Sequence, residues 1–268
     1  MSPGALDLAF DLSRIFALGL LGAARVLPIF LIAPFFGGRM VPALVKIGVA
    51  ITFVALLWPA LHLSTPDLSA FGPVTLLALF LKEVALGVTL AFLVSLPFFA
   101  AEGAGRLADT ARGANLAEVL VPQTGGQSSP LADVGLQLAV VLFFATGGHL
   151  LFLRALAESY QVVPLASFPQ ASAFQSMGEL ATLATARLLL VTLGLAAPVL
   201  AALFLADLAL GLVNRVAPQI QVYFLGMPVK AVVGILVFVV ALTAVLGTLR
   251  GHFAEALESV GRLLRLVR

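Results

Sequence analysis

The chain has 268 residues, of which 61% are hydrophobic and only 10% are charged, and its mean hydropathy is +1.13. These values exclude an ordinary soluble domain, in which about 45–50% of residues are apolar and about 25% are charged. The formal net charge of +2 is too small to indicate nucleic acid as a partner, and a chain without cysteine forms no disulfide.

About six hydrophobic segments follow one another along the chain. Four of them contain no Asp, Glu, Lys or Arg, and each approaches the roughly 20 residues that a helix needs to cross a bilayer. The other two are as apolar but are interrupted by charge. In chain order the six segments are Ile15–Gly38, Ile47–Pro66, Leu68–Ala101, Val134–Leu153, Leu188–Ala206 and Ala231–Leu249. They predict an all-α membrane protein.

Prolines interrupt several of these segments. Pro28 and Pro34 lie in the first segment, Pro97 lies near the end of the third, and Pro198 lies in the fifth. Each removes a backbone donor and tends to kink or break a helix. Membrane proteins tolerate this where neighbouring helices or a water-lined cavity satisfy the freed carbonyl groups. We therefore expect kinked helical hairpins rather than straight spans.

A polar, glycine-rich stretch, RGANLAEVLVPQTGGQSSPLADVG, runs from Arg112 to Gly135 near the middle of the chain. Loops of this length are usually functional or disordered. Ser129 and Pro130 predict a new helix after the loop, with serine as N-cap and proline at the first helical position. The stretch divides the sequence into an N-terminal helical hairpin region (1–101), a polar loop (102–130), a C-terminal helical hairpin region (131–249) and a basic tail (250–268).

The charges before this stretch also carry a helical pattern. Arg106, Asp109 and Arg112 recur every three residues, and they favour a helix from Phe98 to Leu120 with a solvated, charged face.

Charge and aromatic residues give the orientation of the chain. By the positive-inside rule the tail is cytoplasmic, because it is rich in arginine: Arg250, Arg262, Arg265 and Arg268. Trp58, Tyr160 and Tyr223 lie near the ends of apolar runs, where interfacial aromatic residues belong.

Lys82 and Glu83 lie inside an apolar stretch, where a charge at the bilayer centre costs on the order of 2.5–3.5 kcal/mol. Adjacent helical residues point about 100° apart, so the two are not expected to neutralise each other side by side. The pair has three explanations: a water-exposed turn between two short helices, contacts with charges in other subunits, or a proton or ion relay. Arg25, Asp207 and Arg215 raise the same question, and together they favour a subunit packed against other protein.

Motifs for catalysis and cofactor binding are not found in the sequence. His62, His149 and His252 lack metal-ligand spacing, and neither a P-loop, a GxGxxG motif nor a nucleophile elbow is present. We therefore expect no enzymatic activity, no cofactor and no metal site.

Four stretches, taken together, resemble the FliR/SctT family of type III secretion export-apparatus proteins. They are ARVLPIFLIAPFFGGRMVP (24–42), KEVALGVTLAFLVSLPFFAAEGAGRLADTARGAN (82–115), GGHLLFLRALAESYQVVPLASF (147–168) and ALGLVNRVAPQIQVYFLGMPVK (209–230). They occur in the family's order and span most of the chain. The ESYQVVPLASFP and VYFLGMPVK stretches are more similar to the injectisome branch, SctT, than to the flagellar branch, FliR.

The resemblance implies a place in a hetero-oligomeric export gate of the bacterial inner membrane, part of it raised towards the periplasm. The implied partners are FliP/SctR-like and FliQ/SctS-like membrane subunits, an FlhB/SctU-like switch protein, membrane lipid and unfolded secreted proteins as substrates. The implied function is passage of unfolded proteins through the gate. The alternatives are a secondary transporter of a small solute or ion, and a structural membrane scaffold.

The resemblance also implies site residues. The segment that corresponds to the family's pore plug contributes Gly113, Ala114, Asn115, Leu116, Ala117, Glu118, Val119, Leu120, Gly125 and Gly126. Glycine would allow the backbone to rearrange, and Leu116, Val119 and Leu120 would form the seal. Packing between subunits would shelter the charged residues Arg25, Lys82, Glu83, Asp109, Arg112, Asp207 and Arg215.

Overall fold

A computed structural model describes residues 3–38, 41–63, 71–114, 129–219 and 221–267. Within these ranges the regular structure is helical, which confirms the all-α class. The helices, in chain order, are α1 (Pro3–Ile32), α2 (Ala43–Leu56), α3 (Trp58–Leu63), α4 (Pro73–Ala111), α5 (Pro130–Ala145), α6 (Gly148–Val162), α7 (Ala171–Val216) and α8 (Val222–Val267), with a 3₁₀ turn at Pro34–Phe36.

Four of the described helices are long and apolar enough to cross a membrane: α1, α4, α7 and α8. Helices α5 and α6 meet at a bend of 72° and would count together as a fifth span. The second apolar segment of the sequence forms α2, which has 14 residues, and α3, so it is too short for a full span. Within the described ranges the count of about six therefore becomes four or five, and the chain is a multi-pass membrane protein.

The breaks between helices occur at glycine more than at proline. Pro28, Pro97 and Pro198 each lie inside a helix that continues beyond them. The chain turns instead at Gly37 and Gly147, whose φ angles are 99° and 74°. Glycine adopts positive φ without the penalty that a Cβ atom imposes, so these two positions end one helical segment and begin the next.

The chain forms two compact units. The first comprises residues 1–96, 147–184 and 254–268, and the second comprises residues 97–146 and 185–253. In the first unit, aromatic rings join α1, α2 and α6. Phe30 stacks on Phe36 with ring centroids 3.9 Å apart, and Phe35 contacts the edge of Phe152 at 5.7 Å. The four-part division of the sequence stays a prediction.

In the second unit, α4 and α5 approach closely through small residues. A Cβ atom on Gly105 would meet the backbone of Leu131 and Ala132, and one on Gly135 would lie 2.9 Å from the carbonyl oxygen of Ala101. The core of this unit also contains Ala108, Leu131, Val199 and Leu203. Close packing of this kind fixes the position of the end of α4 relative to the start of α5.

The two long C-terminal helices leave most of their apolar residues exposed. In the apolar windows of α7 and α8, 22% and 11% of residues are buried, compared with 61% in α4. Large side chains such as Leu190, Phe204, Leu212, Val232 and Val240 are exposed. These faces are suited to contact with lipid or with another apolar protein surface.

Candidate functional site

The first group of interest is a buried cluster of charge in the first unit, formed by Arg25 of α1 and by Lys82 and Glu83 of α4. All three residues are at most 2% exposed. Arg25 Nε lies 2.5 Å from Glu83 Oε2, and Lys82 Nζ lies 2.6 Å from Glu83 Oε1. Oε1 accepts no hydrogen bond of good geometry, so the ion pair with Lys82 is its electrostatic partner. One carboxylate therefore serves two buried cations.

The remaining donors of the two cations point at the end of α6 and the turn that follows it. Arg25 donates to Ser159 Oγ at 3.0 Å and to the carbonyl of Val163 at 2.8 Å. Lys82 Nζ donates to the carbonyls of Pro164, Leu165 and Ser167 at 2.9–3.1 Å. An ammonium group has three donors, and all three are used. The negative end of the α6 dipole further stabilises the excess positive charge.

This geometry corrects two expectations about Lys82 and Glu83. A water-exposed turn is wrong, because the pair lies inside the continuous helix α4 and is buried. Adjacent residues do neutralise each other here, because the flexible stem of lysine lets its ammonium group reach the neighbouring carboxylate. Their partner Arg25 belongs to the same chain. The cluster therefore ties α1, α4 and the end of α6 together.

Tyr160 belongs to the same cluster and not to an interfacial belt. The residue is 1% exposed, its hydroxyl group donates to the carbonyl of Gly22 at 2.9 Å, and Arg25 lies 4.2 Å from the centre of its ring. A cation over an aromatic face is attracted by the ring's quadrupole. The prediction that Tyr160 is an interfacial aromatic residue, which was based on its position near the end of an apolar run, is therefore wrong.

The second group of interest is at the end of α4, in the second unit. The helix ends at Ala111. The N–H of Gly113 donates to the carbonyl of Thr110 at 3.1 Å, and the N–H of Ala114 donates to that of Asp109 at 3.0 Å. Gly113 has a φ of 81°. This pair of bonds around a left-handed glycine is a Schellman motif, which closes a helix.

Asp109 connects this helix end to the start of α5. Its Oδ1 lies 2.7 Å from Arg112 Nε, and its Oδ2 accepts hydrogen bonds from Ser129 Oγ at 2.6 Å and from the N–H of Leu131 at 2.9 Å. Ser129 is the N-cap residue and Pro130 the first helical residue, as expected, but the Ser129 side chain makes no capping bond. The carboxylate of Asp109 therefore supplies the cap.

The helix expected from Phe98 to Leu120 ends at Ala111, and residues 112–114 form the turn that closes it. The last part of the expected helix, 115–120, lies outside the described residues. The charged face is not solvated. Asp109 is fully buried and Arg112 is almost so, because both are engaged in this junction. Only Arg106 keeps a substantially exposed side chain, at 38%. Of the candidate plug residues, Gly113 and Ala114 are in the helix-ending motif. The others lie outside the described residues: Asn115, Leu116, Ala117, Glu118, Val119, Leu120, Gly125 and Gly126.

A second ion pair lies beside this junction. Asp207 of α7 pairs with Lys230 of α8 at 2.5 Å, and Lys230 also approaches the carbonyl of Ala111 at 3.5 Å. Arg215 is exposed in the last turn of α7, where its charge complements the helix dipole. Lys230 was missed in the sequence, although a single cation in an apolar helix is the same signal that identified Lys82.

An open cavity of about 710 Å³ adjoins these residues in the second unit. Its lining includes Arg112, Gly113, Asp207, Asn214, Gln221 and Lys230. The charged groups in this lining are paired, so the cavity presents polar groups without a dominant charge. The cavity could bind a partner through hydrogen bonds and a complementary shape. Among the described residues of its lining, no nucleophile lies beside a base in a way that would suggest catalysis.

The chain is similar, over most of its length, to a known protein family and to individual proteins of several bacteria. The family model described as "Bacterial export proteins, family 1" matches residues 16–256. The chain is 34% identical to the Yop proteins translocation protein T of Yersinia pestis over 219 residues, covering 81% of this chain and 82% of that protein. It is 31% identical to the flagellar biosynthetic protein FliR of Bacillus subtilis over 244 residues, covering 91% and 93% respectively.

A third relative is the surface presentation of antigens protein SpaR of Salmonella typhimurium, which is 31% identical over 240 residues, or 89% of this chain and 88% of that protein. The matches to all three relatives span most of both chains. The matched residues 16–256 contain the positions of both the charge cluster around Glu83 and the junction around Asp109. On this basis the chain belongs to the bacterial export proteins, family 1.

Proposed function

We propose that this chain is an export-gate subunit of a type III protein secretion system, and that it passes unfolded proteins across the bacterial inner membrane. The observation that carries the proposal is the family match over residues 16–256. Relatives named for translocation of Yop proteins and for flagellar biosynthesis support it. The proposed role is non-enzymatic, and the basic tail after Leu249 is placed in the cytoplasm.

The exposed apolar faces of α7 and α8 support a role inside a larger assembly. A helix with 11% of its apolar window buried has room for a partner along most of its length. The proposed partners are FliP/SctR-like and FliQ/SctS-like subunits and an FlhB/SctU-like switch protein. The residues that would serve a solute transporter, Lys82, Glu83 and Asp207, are each paired within the chain.

Native mass spectrometry of the co-expressed export-apparatus proteins tests this proposal, with a tag on the present chain. We expect one copy of this chain together with several copies of two smaller hydrophobic subunits. A stable monomer or homodimer that co-purifies with neither would contradict the proposal and return attention to a transporter.

Within this function, we assign the segment from Gly113 to Gly126 as the plug of the pore. Replacing Leu116, Val119 and Leu120 by serine is expected to make the assembled complex conduct ions, because a polar segment admits water where an apolar one excludes it. Conductance across a planar bilayer is the measurement. A matched control replaces Gln123, Thr124 and Gln127 by serine and is expected to stay closed. Equal conductance of wild type and of the variant in which Leu116, Val119 and Leu120 are serine would contradict the plug assignment.

A further inference from the structure

The two long C-terminal helices each contain one apolar segment without charge. It runs over Leu188–Ala206 in α7 and over Ala231–Leu249 in α8. At 1.5 Å per residue, each segment is about 28 Å long. The hydrocarbon core of a bilayer is about 30 Å thick. The two segments therefore have the length that places them across the hydrocarbon core.

Charged residues mark both ends of these segments. Arg187 precedes and Asp207 follows the segment of α7, whereas Lys230 precedes and Arg250 follows that of α8. Asp207 and Lys230 pair at 2.5 Å, so the end of one segment and the start of the other lie side by side. This ion pair therefore lies at the edge of the hydrocarbon core, where the lipid headgroups begin.

The ion pair is only partly covered by protein. The side chain of Asp207 is 50% exposed and that of Lys230 is 22% exposed. Both line the open cavity of about 710 Å³, a volume typical of pockets that bind small molecules. Charged residues of membrane segments pair with one another or face a water-filled cavity, and they often mark binding sites. A half-exposed carboxylate at this depth therefore indicates a polar ligand.

We propose that this cavity binds the headgroup of an ethanolamine phospholipid, a zwitterion with a primary ammonium group and a phosphate. The ammonium group contacts Asp207, the phosphate contacts Lys230, and the acyl chains lie along the apolar segments. The site depends on the membrane location of the chain and not on the proposed export role.

The carboxylate of Asp207 selects the ammonium group. Its Oδ1 pairs with Lys230. A carboxylate has two oxygens with about four acceptor sites, so one lysine does not saturate it. A primary ammonium group offers three N–H donors, whereas the quaternary ammonium of choline offers none. We therefore expect the cavity to prefer ethanolamine to choline phospholipids.

Lys230 binds the phosphate. Its Nζ pairs with Asp207 and approaches the carbonyl of Ala111 at 3.5 Å. An ammonium group has three donors, so within the described residues at least one remains for a phosphate oxygen. The other cation of the lining, Arg112, is neutralised by Asp109. Because the described charges balance, a zwitterion fits the cavity better than an anionic lipid does.

Apolar and aromatic side chains surround the ion pair as a bound lipid requires. Phe204, Leu205 and Val232 are exposed and lie on the hydrocarbon side of the pair, where acyl chains would contact them. Tyr223 is exposed, lines the cavity and lies towards the turn between α7 and α8. An amphipathic ring of this kind is typical of the headgroup layer.

Native mass spectrometry of the full-length chain in detergent tests the selectivity. Dioleoyl phosphatidylethanolamine, phosphatidylcholine and phosphatidylglycerol are added separately at equal concentrations, so that only the headgroup differs. We expect one phosphatidylethanolamine per chain, bound roughly tenfold more tightly than phosphatidylcholine. That ratio corresponds to one hydrogen bond to a charged group.

Asp207→Asn tests the charge of the site. The variant loses the partner of the ammonium group and leaves Lys230 without its carboxylate, so phosphatidylglycerol should now bind best. The pair is half exposed, and exposed pairs contribute little to stability. Thermal unfolding should therefore stay close to wild type. Glu179→Gln is the matched control, because it removes a carboxylate from α7 at a distance from the cavity lining.

Gly211→Leu tests the cavity without changing charge. Gly211 lines the cavity and has open space around an added Cβ atom, and leucine is a better helix former than glycine. We expect this variant to fold and to lose phosphatidylethanolamine. The matched control is Gly194→Leu, which adds the same bulk to the same helix in open space away from the cavity lining.

Each outcome decides for or against the site. Selective binding of phosphatidylethanolamine that Gly211→Leu abolishes and Asp207→Asn reverses would support it. Equal binding of the three lipids, or equal effects of Gly211→Leu and Gly194→Leu, would show that lipids only coat the apolar faces and would overturn it. A chain that retains none of the three lipids would overturn it as well.

Discussion

Replacing Glu83 by glutamine is expected to prevent the chain from accumulating in the membrane in a folded form. Arg25 and Lys82 would then lie close together without the carboxylate that both contact at 2.5–2.6 Å. Removing one partner of a buried ionic group destabilises a protein by about 3–5 kcal/mol, which is a large fraction of the stability of most domains. The amount of full-length chain that detergent extracts from membranes, and its thermal unfolding, measure the effect.

Two other variants make this prediction specific. Lys82→Met should be milder than Glu83→Gln, because it leaves Arg25 and Glu83 as a neutral pair and frees only the carbonyls of the turn. Glu102→Gln should be close to wild type, because its pair with Arg106 is partly exposed and pairs of that kind contribute little. If the Glu83 variant accumulated and unfolded like wild type, the two buried cations would not depend on the Glu83 carboxylate as described above.

Replacing Gly87 by alanine is expected to force α1 and α4 apart. An added Cβ atom would meet the carbonyl group and Cα of Arg25, which are backbone atoms and cannot rotate away as a side chain can. Inserting a methyl group into a well-packed site costs about 1–3 kcal/mol. The shift would also move Arg25 away from Glu83. We therefore expect the loss of unfolding free energy to lie at the upper end of that range. Thermal unfolding of the purified chain measures it.

Gly19 provides the matched control, because it lies in α1 of the same unit and has nothing within 4 Å of an added Cβ atom. Alanine is a better helix former than glycine by about 1 kcal/mol. Gly19→Ala should therefore be neutral or slightly stabilising. If Gly87→Ala behaved in the same way, the close approach of α1 to α4 would be refuted.

The class of protein, the charged residues inside apolar segments and the start of α5 could be predicted from the sequence. Apolar runs near the length of a bilayer identify helices wherever they occur. Arg25, Lys82 and Glu83 stood out because charge is rare in such runs. Ser129 and Pro130 correctly located the start of α5, since capping depends on residues that are adjacent in the chain.

The partners of these charges could not be predicted in the same way. Arg25 contacts Glu83, 58 positions away, and Val163, 138 positions away. Periodicity reports which face of a helix a residue occupies, and it contains no information about which distant helix lies opposite. Tyr160 shows the consequence, because a buried hydrogen-bonded tyrosine and an interfacial one have the same local sequence context.

The end of α4 shows a different kind of failure. The spacing of Arg106, Asp109 and Arg112 suggested that the helix continues, whereas Gly113 is a common signal for a helix end. The charge pattern arose because Asp109 and Arg112 pair across one turn at the end of the helix. A local stop signal was therefore more informative than a repeat of three charges.

The buried cluster also has a consequence for biosynthesis. Lys82 leaves the ribosome before the carbonyls that it contacts, since Leu165 follows it by 83 residues. At about 5–20 residues per second, translation of that stretch takes roughly 4–17 s. Lys82 and Glu83 emerge as a ready-made ion pair, but Arg25 brings an additional positive charge that the end of α6 stabilises only later. Until α6 is synthesised, we expect water or the insertion machinery to solvate these charges in the nascent chain. We therefore expect α1 and α4 to reach their final packing only after α6 has been synthesised.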